Sequence, residues 1–309
     1  RGCSADVVVG LGGGSVIDTA KAVAALVTNT GEVLDYLEVV GKGQPLEARP
    51  LPCVAVPTTA GTGSEVTKNS VVRSTAHGVK VSLRSPLMIP AVALVDPALM
   101  VSAPATVTAH SGLDALTQCI EPLVSHLGTP ITDALAREGA LRAARSLRTA
   151  CRHPANLDAR EDLAMASLLG GMSLANAKLG AVHGFAGVIG GKFDAPHGAV
   201  CAALLPHVFR ANVKALSEAP ESPETIRALK RHEEVARIIT GDEGADAGKG
   251  AAWLEALVRD LGVPGLGAFG VSADSYPEIV QASGRSSSMK GNPIKLSEEQ
   301  LMGILREAA

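Results

Sequence analysis

An apolar run that breaks at three consecutive glycines and restarts as a helix constrains this chain more than any other feature: Val7-Val8-Val9-Gly10-Leu11-Gly12-Gly13-Gly14-Ser15. The β-branched run predicts a strand over Asp6–Gly10, and the periodicity after the glycines predicts a helix over Ser15–Val27. A strand that feeds a helix through so short a turn opens an α/β layer with parallel strands. Glycines without a Cβ let backbone approach a pyrophosphate, and the helix N-terminus adds free N–H donors. The run is neither G-x-G-x-x-G nor a Walker loop, since no Lys follows the glycines directly. Two readings stay open on these residues: a phosphate cradle, or a tight turn in which Ser15-x-x-Asp18 is only a capping box.

Further strands are predicted at Cys53–Pro57, Asn69–Arg73 and Ala91–Val95. Near Ser102-Ala103-Pro104 the character changes. Helical periodicity then dominates, with helices expected over Thr106–Leu123, Thr129–Ala150, Leu157–Ala175 and Pro223–Ile239. The boundary is placed near residue 103, giving an α/β part over 1–103 and an all-helical part over 104–309. Ala282–Asn292 reads as a polar loop. A buried-looking strand so close to Arg1-Gly2, with no initiator Met, suggests a chain that lacks an upstream segment.

Composition narrows the function classes. Aromatics are only 2% of the 309 residues, so the core must be built from Ala, Val, Leu and Ile. A net charge of -3 offers no basic footprint for nucleic acid or an anionic membrane. No uninterrupted apolar run reaches the roughly 18 residues that span a bilayer. The five cysteines, Cys3, Cys53, Cys119, Cys151 and Cys201, include no C-x-x-C pair, which suits a reducing cytoplasm better than a disulfide framework.

A second loop, Pro57-Thr58-Thr59-Ala60-Gly61-Thr62-Gly63-Ser64-Glu65-Val66-Thr67, follows a predicted strand. Its small hydroxyl residues can line a crevice at the carboxyl end of a sheet. In the helical part His110, Asp114 and Gln118 recur at i, i+4 and share a helix face. Gly180-Ala181-Val182-His183-Gly184 and Ala195-Pro196-His197-Gly198 follow. Each histidine alone reads equally well as a satisfied core residue. One carboxylate plus two imidazoles is also a plausible divalent site with a position left for substrate oxygen.

The sequence resembles the iron-containing (group III) alcohol dehydrogenases, within the dehydroquinate synthase-like superfamily. Four stretches carry the likeness: Gly12-Gly13-Gly14-Ser15-x-x-Asp18-x-x-Lys21, Pro57 to Thr67, Gly112-Leu113-Asp114-Ala115-Leu116-Thr117, and Pro196-His197-Gly198 through Leu204-Leu205-Pro206-His207. The resemblance spans essentially the whole chain. It implies a partial dinucleotide-binding α/β domain followed by an all-helical domain, with the site in the cleft between them. It implies NAD(P) held by Gly12, Gly13, Gly14, Ser15, Asp18, Thr58, Thr59, Thr62, Asn69 and Lys80. It implies a divalent metal, iron or zinc, held by Asp114, Gln118, His183 and His197, with Asp114, His183 and His197 at the chemistry. The expected partners are a small alcohol or aldehyde and a second copy of the chain, with neither nucleic acid nor membrane.

Two departures bear on the metal. The family usually has His where this chain has Gln118, and often a second His where it has Gly187. Losing an imidazole should hurt iron more than zinc, so zinc is favoured. His110 reads as a helix-face residue bonded to backbone. The implied chemistry is hydride transfer to nicotinamide, with the metal as Lewis acid on the substrate oxygen. A dehydroquinate synthase-type lyase would need several cations around a phosphorylated substrate, and only Lys178 and Lys192 lie near Gly180–Gly198. A metal-free relative that binds nucleotide but turns over little is the second rival. The small residues Ala186 and Gly187 leave room for a substrate larger than ethanol.

Overall fold

The structure, a computed structural model, describes residues 4–77 and 79–309. Cys3 and the Arg1-Gly2 start lie outside the described residues.

The first part is built on three parallel strands in the order β1 (Val8–Gly12), β2 (Cys53–Pro57) and β5 (Val92–Ala93). Val9 pairs with Val54 and Gly12 with Pro57, so the glycine turn and the threonine loop leave the sheet side by side at its carboxyl end. Helix α1 (Gly14–Thr28) crosses back over the sheet, burying Ile17, Ala20, Ala24 and Ala25. Gly10 is where strand and helix touch, since a Cβ there would sit 2.8 Å from Ala20 Cβ. A one-turn helix, α2 (Val33–Tyr36), follows.

Asn69–Arg73 does not join the parallel sheet. It forms β3 (Asn69–Ser74) of an antiparallel hairpin with β4 (Val79–Arg84), a strand without a sequence-based assignment. The alternation Val79-Lys80-Val81-Ser82-Leu83-Arg84 has the period of two that such a strand needs, with Val81 and Leu83 buried against Tyr36, Leu37 and Met88.

From Ala105 onward the described elements are helical: α3 (Ala105–Val124), α4 (Pro130–Arg152), α5 (Leu157–Ala177), α6 (Ala181–Lys192), α7 (His197–Glu218), α8 (Pro223–Thr240), α9 (Ala247–Asp260), α10 (Tyr276–Ser283) and α11 (Glu298–Glu307), with short 3₁₀ turns between. The shortage of aromatics is met by close approach. A Cβ on Gly112 of α3 would lie 2.3 Å from Leu147 of α4, and one on Gly139 of α4 would lie 2.5 Å from Cys119 Sγ. Helix α7 is long and apolar enough to cross a membrane by length and composition, but 72% of its apolar window is buried inside the fold, as befits a core helix.

Candidate metal and cofactor site

Helix α1 begins at Gly14, its N-cap is Gly13 without a side-chain cap, and its first turn contains no acid. No capping box forms. Val16 N and Ile17 N are taken by Gly13 O at 2.9 and 3.1 Å, so the N–H groups of Gly14 and Ser15 and the positive end of the helix are what this turn offers an anion. Asp18 turns instead toward the hairpin. Its carboxylate accepts from Ser64 Oγ and, at 3.0 Å, from Val71 N, and pairs with Lys21 at 3.0 Å. Lys21 is 1% exposed and donates to Ser64 O at 2.9 Å and Ser64 Oγ at 2.7 Å. Burial pushes its ammonium down, against the pull of Asp18. Asp18 and Lys21 therefore clamp α1 to the threonine loop.

That loop forms the opposite wall of the glycine turn. Gly13 faces Thr59, a Cβ there lying 3.3 Å from Thr59 Oγ1, and Gly14 abuts Thr62, whose Oγ1 would be 2.7 Å away. Thr58 N donates to Gly12 O at 3.0 Å. Ser15 is exposed at the mouth. Gly63 adopts a left-handed φ of 57°, and a Cβ on it would strike Gly171 of α5 at 2.5 Å, so the loop docks on the helical part backbone to backbone. Asn69 lines a cleft of about 180 Å³ with Lys68, Lys178 and Ser288, and its Oδ1 is buried without a partner. Lys80, half-buried on β4, has its Nζ 3.3 Å from where a Cβ on Gly190 of α6 would stand. Burial first, then the charge of Arg73, lowers its pKa.

The metal-type cluster lies deeper. Asp114 on α3 is 2% exposed, and its Oδ1 lies 3.2 Å from His183 Nε2 and 3.8 Å from His197 Nε2. The approach of His197 depends on its neighbour: a Cβ on Gly198 would sit 2.2 Å from His110 O, so only glycine lets α7 start against α3. His110 is half-buried and stands outside the metal-type group formed among the described residues. Gln118 is 3% exposed and one helical turn after Asp114, whose carboxyl it helps to hold low. Its Oε1 is buried with no partner.

Glu121, without a role in the sequence reading, orients this cluster. It is 4% exposed, accepts from Val182 N at 2.8 Å, and meets His183 Nδ1 at 2.7 Å. It stands seven residues after Asp114, two helical turns along the same face, and that spacing was the available signal. With Nδ1–H committed to Glu121, His183 Nε2 faces Asp114 and also Cys201, whose Sγ is 3.9 Å away. Burial opposes protonation of His183, but the Cys201 and Glu121 charges and the Asp114 hydrogen bond outweigh it and raise its pKa well above the ordinary range. Burial likewise opposes ionisation of Asp114, yet His197, His183 and Gln118 hold its carboxyl below its usual value.

These residues fit a divalent cation. Two buried carboxylates flank one imidazole, and among the described residues their ion-pair partners are His183 and His197, with no Lys or Arg. Buried anions need a compensating cation, which is a protonated His183 or, with the rings neutral, a divalent ion. The orphaned Gln118 Oε1 is one more acceptor beside the same cluster.

A glycine turn at a helix start and a buried Asp–His–His cluster fit a metal-dependent oxidoreductase of the dehydroquinate synthase-like fold. The comparisons agree. The model of "Iron-containing alcohol dehydrogenase" matches residues 1–97, and that of "Fe-containing alcohol dehydrogenase family, C-terminal" matches 108–309. The 1,3-propanediol dehydrogenase of Klebsiella pneumoniae is 38% identical over 305 residues, covering 98% of this chain and 76% of that protein. A solved 1,3-propanediol oxidoreductase superposes with a TM-score of 0.88 at 36% identity, over 98% of this chain and 77% of the other. A sulfoacetaldehyde reductase from Bifidobacterium kashiwanohense, solved in complex with NAD+, gives 0.85 at 30% identity, over 98% and 76%. This chain belongs to the iron-containing alcohol dehydrogenase family and is a metal-dependent alcohol oxidoreductase.

Proposed function

We propose that the chain interconverts a small primary alcohol and its aldehyde by hydride exchange with a nicotinamide dinucleotide. NAD is supported by the complex of the Bifidobacterium relative. The observation that carries the reading is that the cofactor loop and the oxygen-binding cluster share a wall. A Cβ on Gly61 would lie 2.8 Å from Ser111 Cβ, and Ser111 is one helical turn before Asp114. When bound, a divalent ion supplies Lewis-acid polarisation of the substrate oxygen and the dinucleotide supplies the hydride acceptor.

The chain's own residues do the rest. The N–H groups of Gly14 and Ser15 at the start of α1 would take the pyrophosphate, with Thr59 and Thr62 closing the far side. Asp114, His183 and His197 hold the cation, and Glu121 fixes the His183 tautomer so that Nε2 points inward. Gln118 positions the Asp114 carboxylate. Room for substrate lies over α6. A Cβ on Gly187 would meet nothing within 4 Å, whereas Ala186 is fully buried in the core and lines no opening. Space over Gly187 supports substrates longer than ethanol, in keeping with a propanediol-oxidising relative. The described cysteines are all free, which supports a reducing compartment.

The test is a panel of ethanol, longer straight-chain alcohols and 1,3-propanediol, with NAD+ and NADP+ in parallel, followed by the absorbance of reduced cofactor in metal-loaded protein. Turnover with NAD+, higher for the longer alcohols than for ethanol, is expected. No reduced cofactor from any alcohol, and no oxidation of reduced cofactor by the aldehydes, would refute the reading.

A further inference from the structure

Cys201 stands one turn after His197 on α7, so the two side chains share a face. It is fully buried. Its Sγ lies 3.7 Å from His197 Nε2 and 3.9 Å from His183 Nε2. The donor atoms of Asp114, His183, His197 and Cys201 all fall within 4.8 Å of one another. Cys119 makes the contrast. Its thiol donates to Ala166 O at 3.5 Å, and burial pushes it up to about 12, as expected of an inert core cysteine.

The separations have a physical meaning. Zinc bonds of about 2.3 Å to sulfur and about 2.0 Å to nitrogen or oxygen, at tetrahedral angles, place an S···N pair about 3.6 Å apart and an N···O pair about 3.3 Å apart. The observed S···N distances are 3.7 and 3.9 Å, and the His183–Asp114 distance is 3.2 Å. A second observation points the same way. The Gln118 side chain is 3% exposed and its carbonyl oxygen has no partner. Position 118 thus contributes at most a weak neutral oxygen, while position 201 offers a sulfur within 4.8 Å of the other three donor atoms.

We propose that Cys201 is a thiolate ligand of the resident divalent ion, completing an Asp114–His183–His197–Cys201 set and biasing the centre toward zinc. The proposal rests on the metal-dependent reading above. On binding, the thiol gives its proton to solvent, and the thiolate and the Asp114 carboxylate together neutralise the dication in a buried site. Soft sulfur favours zinc over iron. With four protein ligands, substrate oxygen would have to be taken up by expansion of the coordination shell, which zinc accepts.

The test replaces the resident ion with cobalt(II) and records the absorption spectrum of the whole chain, alongside zinc affinity by competition with a chromogenic chelator. The parent protein should show a near-ultraviolet sulfur-to-cobalt charge-transfer band. Cys201→Ser and Cys201→Ala should lose the band and bind zinc more than about tenfold less tightly, a loss of about 1.4 kcal/mol. Cys119→Ala should keep the band. Far-ultraviolet circular dichroism confirms that each variant is folded. If cobalt binds stoichiometrically without that band, or the band survives in the folded Cys201 variants, Cys201 is not a ligand although the metal centre stands. If the parent binds neither cobalt nor zinc, the metal-dependent reading fails first, and this proposal with it.

Discussion

His183 donates from Nδ1 to Oε2 of Glu121 across 2.7 Å, while Oε1 of the same carboxylate accepts the Val182 N–H at 2.8 Å. One acid thus holds both the imidazole and the first turn of the helix that carries it. Glu121→Gln should keep the shape but weaken the grip on the ring, lowering metal affinity about 10- to 100-fold. Chelator competition reads this directly, and an unchanged affinity in the folded variant would remove Glu121 from the site.

The cofactor cradle gives a second expectation. Gly13 has 3.3 Å between a would-be Cβ and Thr59 Oγ1. The branched side chain of Gly13→Val would fill the gap that the pyrophosphate needs. Nicotinamide cofactor affinity should fall by more than about tenfold, roughly 1.4 kcal/mol. Calorimetry showing undiminished affinity in a folded variant would place the dinucleotide elsewhere.

Lys178 closes α5 with φ 61° and ψ −179°, a region open essentially to glycine. Relief of strain of about 1–3 kcal/mol, less the roughly 0.5–1 kcal/mol of extra chain entropy glycine carries, predicts that Lys178→Gly raises stability by about 1 kcal/mol. Lys178→Ala keeps the Cβ and should not. Equal stability of the two variants in urea unfolding would mean that the backbone there is not strained.

His232 supplies a pH dependence away from the site. It is fully buried, its Nδ1 donates to Ala228 O at 2.8 Å, its Nε2 has no partner, and its ring meets Phe209 edge-on at 5.0 Å. Burial lowers its pKa from 6.5 to about 4. Between those values the unfolded chain holds the extra proton, so the contribution is fully present above 6.5 and lost as pH falls toward about 4. The total is on the order of 3 kcal/mol. His232→Leu should flatten this part of the stability–pH curve, and identical slopes for parent and variant between pH 7 and 5 would contradict the assignment.

Much of the layout was legible because it is written in periodicity and glycines. Cys53–Pro57 coincides with β2, and Leu157, Pro223 and the start of α1 fall where apolar spacing and caps place them. The hairpin was not, because Val79–Arg84 is half-polar and its partner Asn69–Ser74 reads equally well as a parallel strand. In the cluster, Asp114, His183 and His197 stood out by residue type, and the structure brings them together. Glu121 and Cys201 did not, since a carboxylate in a helix and a cysteine in an apolar run look ordinary until α6 and α7 fold back onto α3. Lys178 was visible only as a cation; its backbone strain has no sequence signature.

The central claim is that alcohol oxidation here depends on a cation anchored by Asp114. The most direct measurement pairs elemental analysis with nicotinamide-linked alcohol oxidation in four preparations: the parent protein, the protein stripped by chelator, the stripped protein reloaded with zinc or iron, and Asp114→Asn. Stoichiometric metal in the parent, loss of activity on stripping, its return on reloading, and neither metal nor activity in Asp114→Asn are expected. Full turnover by stripped protein shown to hold no metal, or by Asp114→Asn, would contradict the claim.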